Sequence, residues 1–368
     1  MIKLSKPYIT DECIDLAVEV LHSGNLVQGK YVDLFEQEIQ KYLGIKHALL
    51  VSNGTAALHL SLIALGIGPG DEVIVPAFTY PATANVVELV GAKTVLVDIT
   101  LDDFCIDTSL IEAAITSKTK AIMPVHEFGQ AAKMDTLMQV ARKYGLYVIE
   151  DAACALGAEF DGRKVGTFGN AGCFSLHPRK AITSGEGGVI VTNDDEFAGK
   201  IKIYRNHGVE YKNDKIDFVA AGFNYRLTDF QAALCLPQLK MIEALIRNRL
   251  ESAALYNECL KNIFQIKIPV SFTDRRMIYQ TYHTLLDTDI DRNKLILALK
   301  SKGIETNYGA QALNTLTYYS RKYGCCADDC PNAVRANRQG LSLPLGMHLK
   351  SQDVKNISST LIQMVIKR

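Results

Sequence analysis

Between residues 45 and 195 short apolar runs alternate with amphipathic stretches, and this alternation restricts the possible folds more than any other feature. His47-Ala48-Leu49-Leu50-Val51 is strand-like, and Gly54 to Leu65 carries apolar residues close to helical spacing. Gly66-Ile67-Gly68-Pro69-Gly70 stops that helix. Glu72 to Val75 reads as the next strand, Ala82 to Val90 as a helix and Thr94 to Val97 as a strand. Ala121 to Val125 and Leu146 to Glu150 continue the strand series, with a helix from Asp135 to Tyr144 between them. Strands separated by helices pair in parallel, because a parallel neighbour needs a long crossover. The expected fold is α/β, with a large, mixed, mostly parallel sheet flanked by helices.

After Asn224 the pattern changes. Asp229 to Leu239 and Leu245 to Leu260 read as long helices, followed by Tyr282 to Leu286, Arg292 to Ser301 and Gln352 to Ile366 as shorter mixed elements. At 368 residues the chain exceeds what one simple core accommodates. A large domain over 1–240 and a smaller C-terminal α/β domain over 241–368 are expected, the N-terminal segment packing on the smaller one.

Composition removes several function classes. Forty basic residues balance 40 acidic ones without a basic stripe, so no nucleic acid partner is expected. MIKLSKPYITDE has no apolar signal region and no run of 18 apolar residues occurs, so neither export nor a membrane span is expected and the cytoplasm is the expected compartment. Most of the nine cysteines sit in apolar runs, as Cys173 and Cys235 do, and read as reduced thiols. Cys325, Cys326 and Cys330 match no zinc-ligand spacing, so no metal is expected.

The chemistry concentrates between Val148 and Asn193. An apolar strand ends in Glu150-Asp151, a second strand ends at Ser175, Lys180 follows in a loop, and Gly185-Glu186-Gly187-Gly188 leads into a third strand. Open α/β sheets bind ligands at the carboxyl ends of their strands. An acid there can face a pyridine nitrogen, and a desolvated lysine can form an imine; these are parts that hold pyridoxal phosphate (PLP). Ser52-Asn53-Gly54-Thr55-Ala56-Ala57 follows another strand and opens a helix, which suits either an anion at the helix N-terminus or plain N-capping. Tyr80 lies just past a further strand, where it can stack on a ring whose other face Ala153 covers; core packing is the alternative. Asn224 suits a phosphate contact or a turn equally. His126, His177 and His207 read as structural.

Taken together, the motifs resemble the DegT/DnrJ/EryC1/StrS family of PLP-dependent nucleotide-sugar aminotransferases, which have the aspartate aminotransferase fold (fold type I). The resemblance runs from Ser23-Gly24 and Gln28-Gly29 through Gly54-Thr55-Ala56-Ala57-Leu58 and Pro124-Val125-His126 to Glu150-Asp151-Ala152-Ala153. It continues in Phe174-Ser175-Leu176-His177-Pro178-x-Lys180, Gly185-Glu186-Gly187-Gly188, the Asn224 to Ala233 block and Ser342-Leu343-Pro344-Leu345. It implies a covalent cofactor link at Lys180, Asp151 against the pyridine nitrogen, Tyr80 stacked on the ring, and Gly54, Thr55, Ala56 and Ser175 around the phosphate. Asn224 matches a residue that family members supply from the other subunit, which implies a homodimer with shared sites. Cys154 stands where family members carry Gln, Glu or His near the cofactor's phenolic oxygen, and a thiol is a poor replacement.

The expected activity is transfer of the amino group of L-glutamate to a nucleotide-linked keto-sugar through pyridoxamine phosphate, with Lys180 as covalent partner and general base. Such amino sugars feed O-antigen, capsule or other glycans. Dehydration or amino-acid transamination on the same fold, and a non-catalytic regulatory relative, are the rival expectations. A dehydratase subgroup carries histidine in place of the lysine, and the intact Asp151, Ser175 and Lys180 set weighs against a regulator. Tyr308, Gln311 and Arg205 are expected substrate contacts, the arginine for the diphosphate.

Overall fold

The leading apolar runs all become strands of one sheet. The computed structural model describes residues 1–212 and 215–366. Its main sheet is built from β1 (His47–Val51), β2 (Glu72–Pro76), β3 (Lys93–Val97), β4 (Thr119–Ile122), β5 (Tyr147–Asp151), β6 (Ala171–Ser175) and β7 (Gly188–Thr192). The spatial order is β1-β7-β6-β5-β4-β2-β3. β7 runs antiparallel to both its neighbours, and all other pairings are parallel. The reversal follows from the connection: the chain between β6 and β7 is a loop carrying Lys180, not a crossover helix.

Alternate strand residues enter opposite cores, as the two-residue period of a strand requires. Leu49, Val51, Val73 and Val75 pack on one face with Leu58, Leu62, Val86 and Phe197. Ala48, Leu50 and Ile74 pack on the other with Phe35, Ile39, Leu137 and Leu236. Helices therefore cover both faces, which is why the strands read as continuous apolar runs.

One strand is shorter than the sequence suggests. The expected Ala121 to Val125 ends at Ile122, and only Val125 returns to bridge Asp151. Pro124 lies between them and has no N–H to continue a ladder, although its carbonyl accepts from Asp151 N–H at 2.9 Å.

Beyond residue 240, the antiparallel strands Ile266–Lys267, Tyr282–Leu286 and Gly340–Leu343 form a second sheet. They share a core with the helices Ile242–Leu260, Arg292–Ser301 and Ser351–Ile366, in which Tyr256 and Tyr282 stack at 4.7 Å between ring centroids. Full burial of each large side chain here stabilises by about 1.5–3 kcal/mol. The N-terminus packs on this part: Ile2 bridges Ile304, and Leu345 N–H donates to the Leu4 carbonyl at 3.0 Å. The 1–240 and 241–368 division remains a proposal, supported by this separate core. Two segments cross it: Ile242 and Leu245 pack in the first core, and Gln311-Ala312 pairs with Phe78-Thr79. Among the described residues, no helix is long and apolar enough to cross a membrane.

Candidate active site

β1, β2, β5 and β6 run in the same direction, which brings their carboxyl ends to one edge of the sheet. The register sets Val51 beside Gly188, Gly188 beside Ser175, and Asp151 beside Cys173. Glycine at 188 is required by closeness: a Cβ there would stand 2.4 Å from the Asn53 carbonyl oxygen. The loops leaving this edge surround a cleft of about 680 Å³, lined by Gly54, Thr55, Ala56, Tyr80, Asp151, Ala153, Cys154, Ser175 and Lys180 among others. Sequence positions from 54 to 180 thus converge on one cavity.

Lys180 Nζ donates to Cys154 Sγ at 3.0 Å. The loop is held at the lysine itself, Arg249 Nη2 donating to the Lys180 carbonyl at 3.1 Å and Gln280 Nε2 to the neighbouring Arg179 carbonyl at 2.7 Å. Burial pulls the Lys180 ammonium down, while the carboxylate of Asp151 beside it pulls the other way. Burial pushes the Cys154 thiol up, so it meets the amine as S–H.

Asp151 is only 5% exposed. Its Oδ2 accepts from the Thr83 hydroxyl at 2.8 Å and its Oδ1 from Ala153 N–H at 3.1 Å. Burial nevertheless leaves its carboxyl above the usual range, because those donors, Lys180 and His126 offset the lost hydration only in part. A buried carboxylate short of positive charge suits a protonated pyridine nitrogen.

The anion corner is equally formed. Helix Gly54–Ala64 is capped by Asn53, whose Oδ1 accepts from Ala56 N–H at 2.8 Å. The Gly54 and Thr55 amides lie ahead of that cap in the first turn, where the helix dipole favours an anion. A Cβ at residue 54 would sit 3.0 Å from Ser175 Cβ and 3.4 Å from its Oγ, so glycine keeps the serine hydroxyl against this helix end. These residues fit the phosphate of PLP, with Lys180 and Asp151 fitting its aldehyde and ring nitrogen. The Ala56 amide is already engaged by the cap, which leaves Gly54, Thr55 and Ser175 as the open donors.

Several expected residues fall elsewhere. Arg205 is buried, its Nη1 donating to Glu36 Oε1 and to the Leu50 carbonyl, each at 2.7 Å; it braces β1 and is not a free cation for substrate. Tyr308 and Gln311 bond each other, Gln311 Nε2 donating to the Tyr308 hydroxyl at 2.8 Å, and neither lines the cleft. Their neighbours Asn307, Gly309 and Ala310 do. Tyr80 is at the cleft but 74% exposed, with its ring free. Asn224 is exposed and outside the cleft, bridged to Asn206.

His126 is structural as expected: Nε2 contacts Glu150 Oε2 at 2.9 Å and Nδ1 accepts from Ala132 N–H at 3.1 Å. Glu127, His59, Gln280, Thr281 and Ser342 also line the cleft, unforeseen from sequence. For Glu127 a signal existed, an acid two residues past an apolar strand whose end faces the site. Among the described residues, no three His, Cys, Asp or Glu side chains converge as metal ligands.

Known proteins share this fold. A model of the DegT/DnrJ/EryC1/StrS aminotransferase family matches residues 7–362. GDP-perosamine synthase of Caulobacter vibrioides is 39% identical over 342 residues, covering 92% of this chain and 91% of that protein. The PLP-form of Spr1654 from Streptococcus pneumoniae superposes with a TM-score of 0.95 at 30% identity, over 100% of this chain and 99% of that one. PseC of Helicobacter pylori, an aminotransferase of pseudoaminic acid biosynthesis, gives 0.94 at 29% identity over the full length of both chains. The chain belongs to the DegT/DnrJ/EryC1/StrS aminotransferase family, and it is a PLP-dependent enzyme of fold type I.

Proposed function

We propose that this enzyme moves the amino group of L-glutamate to a nucleotide-linked keto-sugar, a 3-keto- or 4-keto-6-deoxyhexose, and that it works as a homodimer. One observation carries the reading: Lys180 Nζ, the buried acid Asp151 and the open helix end at Gly54 and Thr55 share a single cleft, whose volume of about 680 Å³ leaves space for a second ligand. The relatives named GDP-perosamine synthase and PseC support a sugar as that ligand.

When bound, PLP supplies an electron sink for the bond changes at the amine-bearing carbon. The protein's part is positioning and proton transfer. Asp151 would keep the ring nitrogen protonated, Gly54, Thr55 and Ser175 would hold the phosphate, and Ala153 and Tyr80 would border the ring. Lys180 Nζ would hold the cofactor and, when free, would take the proton from the α-carbon of glutamate. In the return half-reaction the same Nζ would deliver a proton to the sugar carbon that gains nitrogen.

A second subunit is supported by two features. Asn224 lies outside its own cleft, and the paired strands Val209–Lys212 and Lys215–Phe218 expose Tyr211, Ile216 and Phe218. Incubation with glutamate and a panel of dTDP-, UDP- and GDP-linked keto-sugars, read by mass spectrometry, tests the activity. An amino-sugar nucleotide is the expected product; conversion of amino acids alone contradicts the sugar assignment. Light scattering should give twice the chain mass.

A further inference from the structure

Among the described residues, Glu127 is a buried acid of the cleft whose carboxyl pairs with no other side chain. It is 5% exposed and lines the cleft with Asp151, Cys154 and Lys180. Chain geometry fixes it there: His126 N–H donates to the Asp151 carbonyl at 3.0 Å, and the His126 ring turns inward to Glu150. On its other side is a pocket of about 10 Å³ bordered by Phe104, Phe128, Met277 and His283, with room for about one water and nothing larger. Beyond the Phe128 backbone, the side open to a ligand group is the cleft. Burial raises this carboxyl to about 8, with Asp151 adding to the rise while Lys180 and the Phe128 backbone oppose it. Near neutrality the side chain is mostly a neutral O–H donor.

PLP carries its phenolic oxygen on the ring carbon adjacent to the one bearing the aldehyde. Whatever stands beside Lys180 Nζ therefore stands beside that oxygen too. Cys154 Sγ is there, 3.0 Å from Nζ, but S–H is a weak donor. We propose that Glu127 donates a hydrogen bond from its carboxyl O–H to the phenolic oxygen of the bound cofactor, supplying the contact that the Cys154 thiol makes poorly. The inference rests on the reading that Lys180 carries the cofactor.

The sign of the consequence is fixed by charge. A neutral donor stabilises the phenolic oxygen most when it bears its full negative charge, which is when the nitrogen held by Lys180 has lost its proton. The hydrogen bond thus lowers the pH at which that nitrogen deprotonates, whereas an anionic carboxylate in the same place raises it. Lys180, Asp151 and Cys154 face Glu127 across the cleft. Cys105 lies behind it, and His283 and Asp103 border the small pocket, Asp103 paired to Arg275 at 2.5 Å. None of these residues is substituted in the test variants.

Wild type, Glu127→Met and Glu127→Gln are loaded with PLP, and the cofactor absorbance is followed against pH. Glu127→Met should raise the midpoint by about one pH unit, the value of one neutral hydrogen bond. Glu127→Gln retains a neutral N–H donor and should stay close to wild type. Glu127→Ala carries the same prediction as Met if Met does not fold. A midpoint that falls or stays put in the Met or Ala variant overturns the proposal, as does a Gln variant that shifts as far as Met. A wild-type protein with no cofactor band overturns the Lys180 reading first, and this inference with it.

Discussion

Asp151 and Ser175 reach the cleft from the ends of adjacent strands of one sheet and Lys180 from the loop that follows, whereas Gln280 and Asn307 reach it from loops and Ser342 from a strand of the second sheet. The first group is fixed by backbone register: β5 and β6 are paired residue by residue, the Asp151 and Ser175 side chains leave from their ends, and the loop carrying Lys180 starts from the second. The second is fixed by loop hydrogen bonds, such as the Asn307 to Ser342 bridge and Gln280 on the Arg179 carbonyl. A ligand common to many enzymes can be held by the first kind of wall. A ligand that differs between enzymes is met by the second, because loops change without disturbing the sheet.

The largest expected effect falls on the sheet-edge group. Lys180→Ala should lower kcat by about 10³-fold or more, since it removes the amine that both holds the cofactor and moves the proton, while circular dichroism stays unchanged. A loss under tenfold breaks the distinction between the two walls. Arg205→Ala should cost about 3–5 kcal/mol in urea unfolding by leaving Glu36 buried without its cation. A change in KM for the nucleotide sugar without that loss would return Arg205 to the substrate.

Glu127 sharpens the comparison through pH. Its folded carboxyl is raised to about 8 from an ordinary value of 4.5, so the native state keeps a proton that the unfolded chain releases earlier. Stability of the cofactor-free protein is therefore unaffected below the ordinary value and is lost progressively as pH rises towards 8. Glu127→Gln removes this dependence, and it should exceed wild type by a few kcal/mol at pH 8, the gap shrinking at pH 5. Parallel denaturation curves with a constant gap contradict the assignment. The smallest effect is expected from Tyr308→Phe, which removes only the partly exposed acceptor of Gln311 and should change stability by about 1 kcal/mol or less, with KM unchanged.

Most of the sheet was legible because both faces are covered, so its strands appear as uninterrupted apolar runs. The strand that failed, Ala121 to Val125, failed at Pro124, where a hydrophobic pattern outlasts the ladder. That Asp151, Ser175 and Lys180 would share one cleft was legible because strand ends and the loops after them locate sites. Arg205 misled because sequence shows a cation but not its buried partner: Glu36 lies 169 positions away. Tyr308 and Gln311 missed the cleft narrowly, as Asn307 and Gly309 line it instead; alternation within a short loop is decided by pairing to Phe78-Thr79, which no local pattern records. Glu127 was passed over because burial, not residue type, makes its carboxyl unusual.

The covalent hold of Lys180 on the cofactor is what every other assignment leans upon. Reduction of the PLP-loaded protein with borohydride, followed by peptide mapping, reads it directly. The phosphopyridoxyl group should appear on the peptide containing Lys180 at one equivalent per chain; a label on another lysine, or none, would contradict the account.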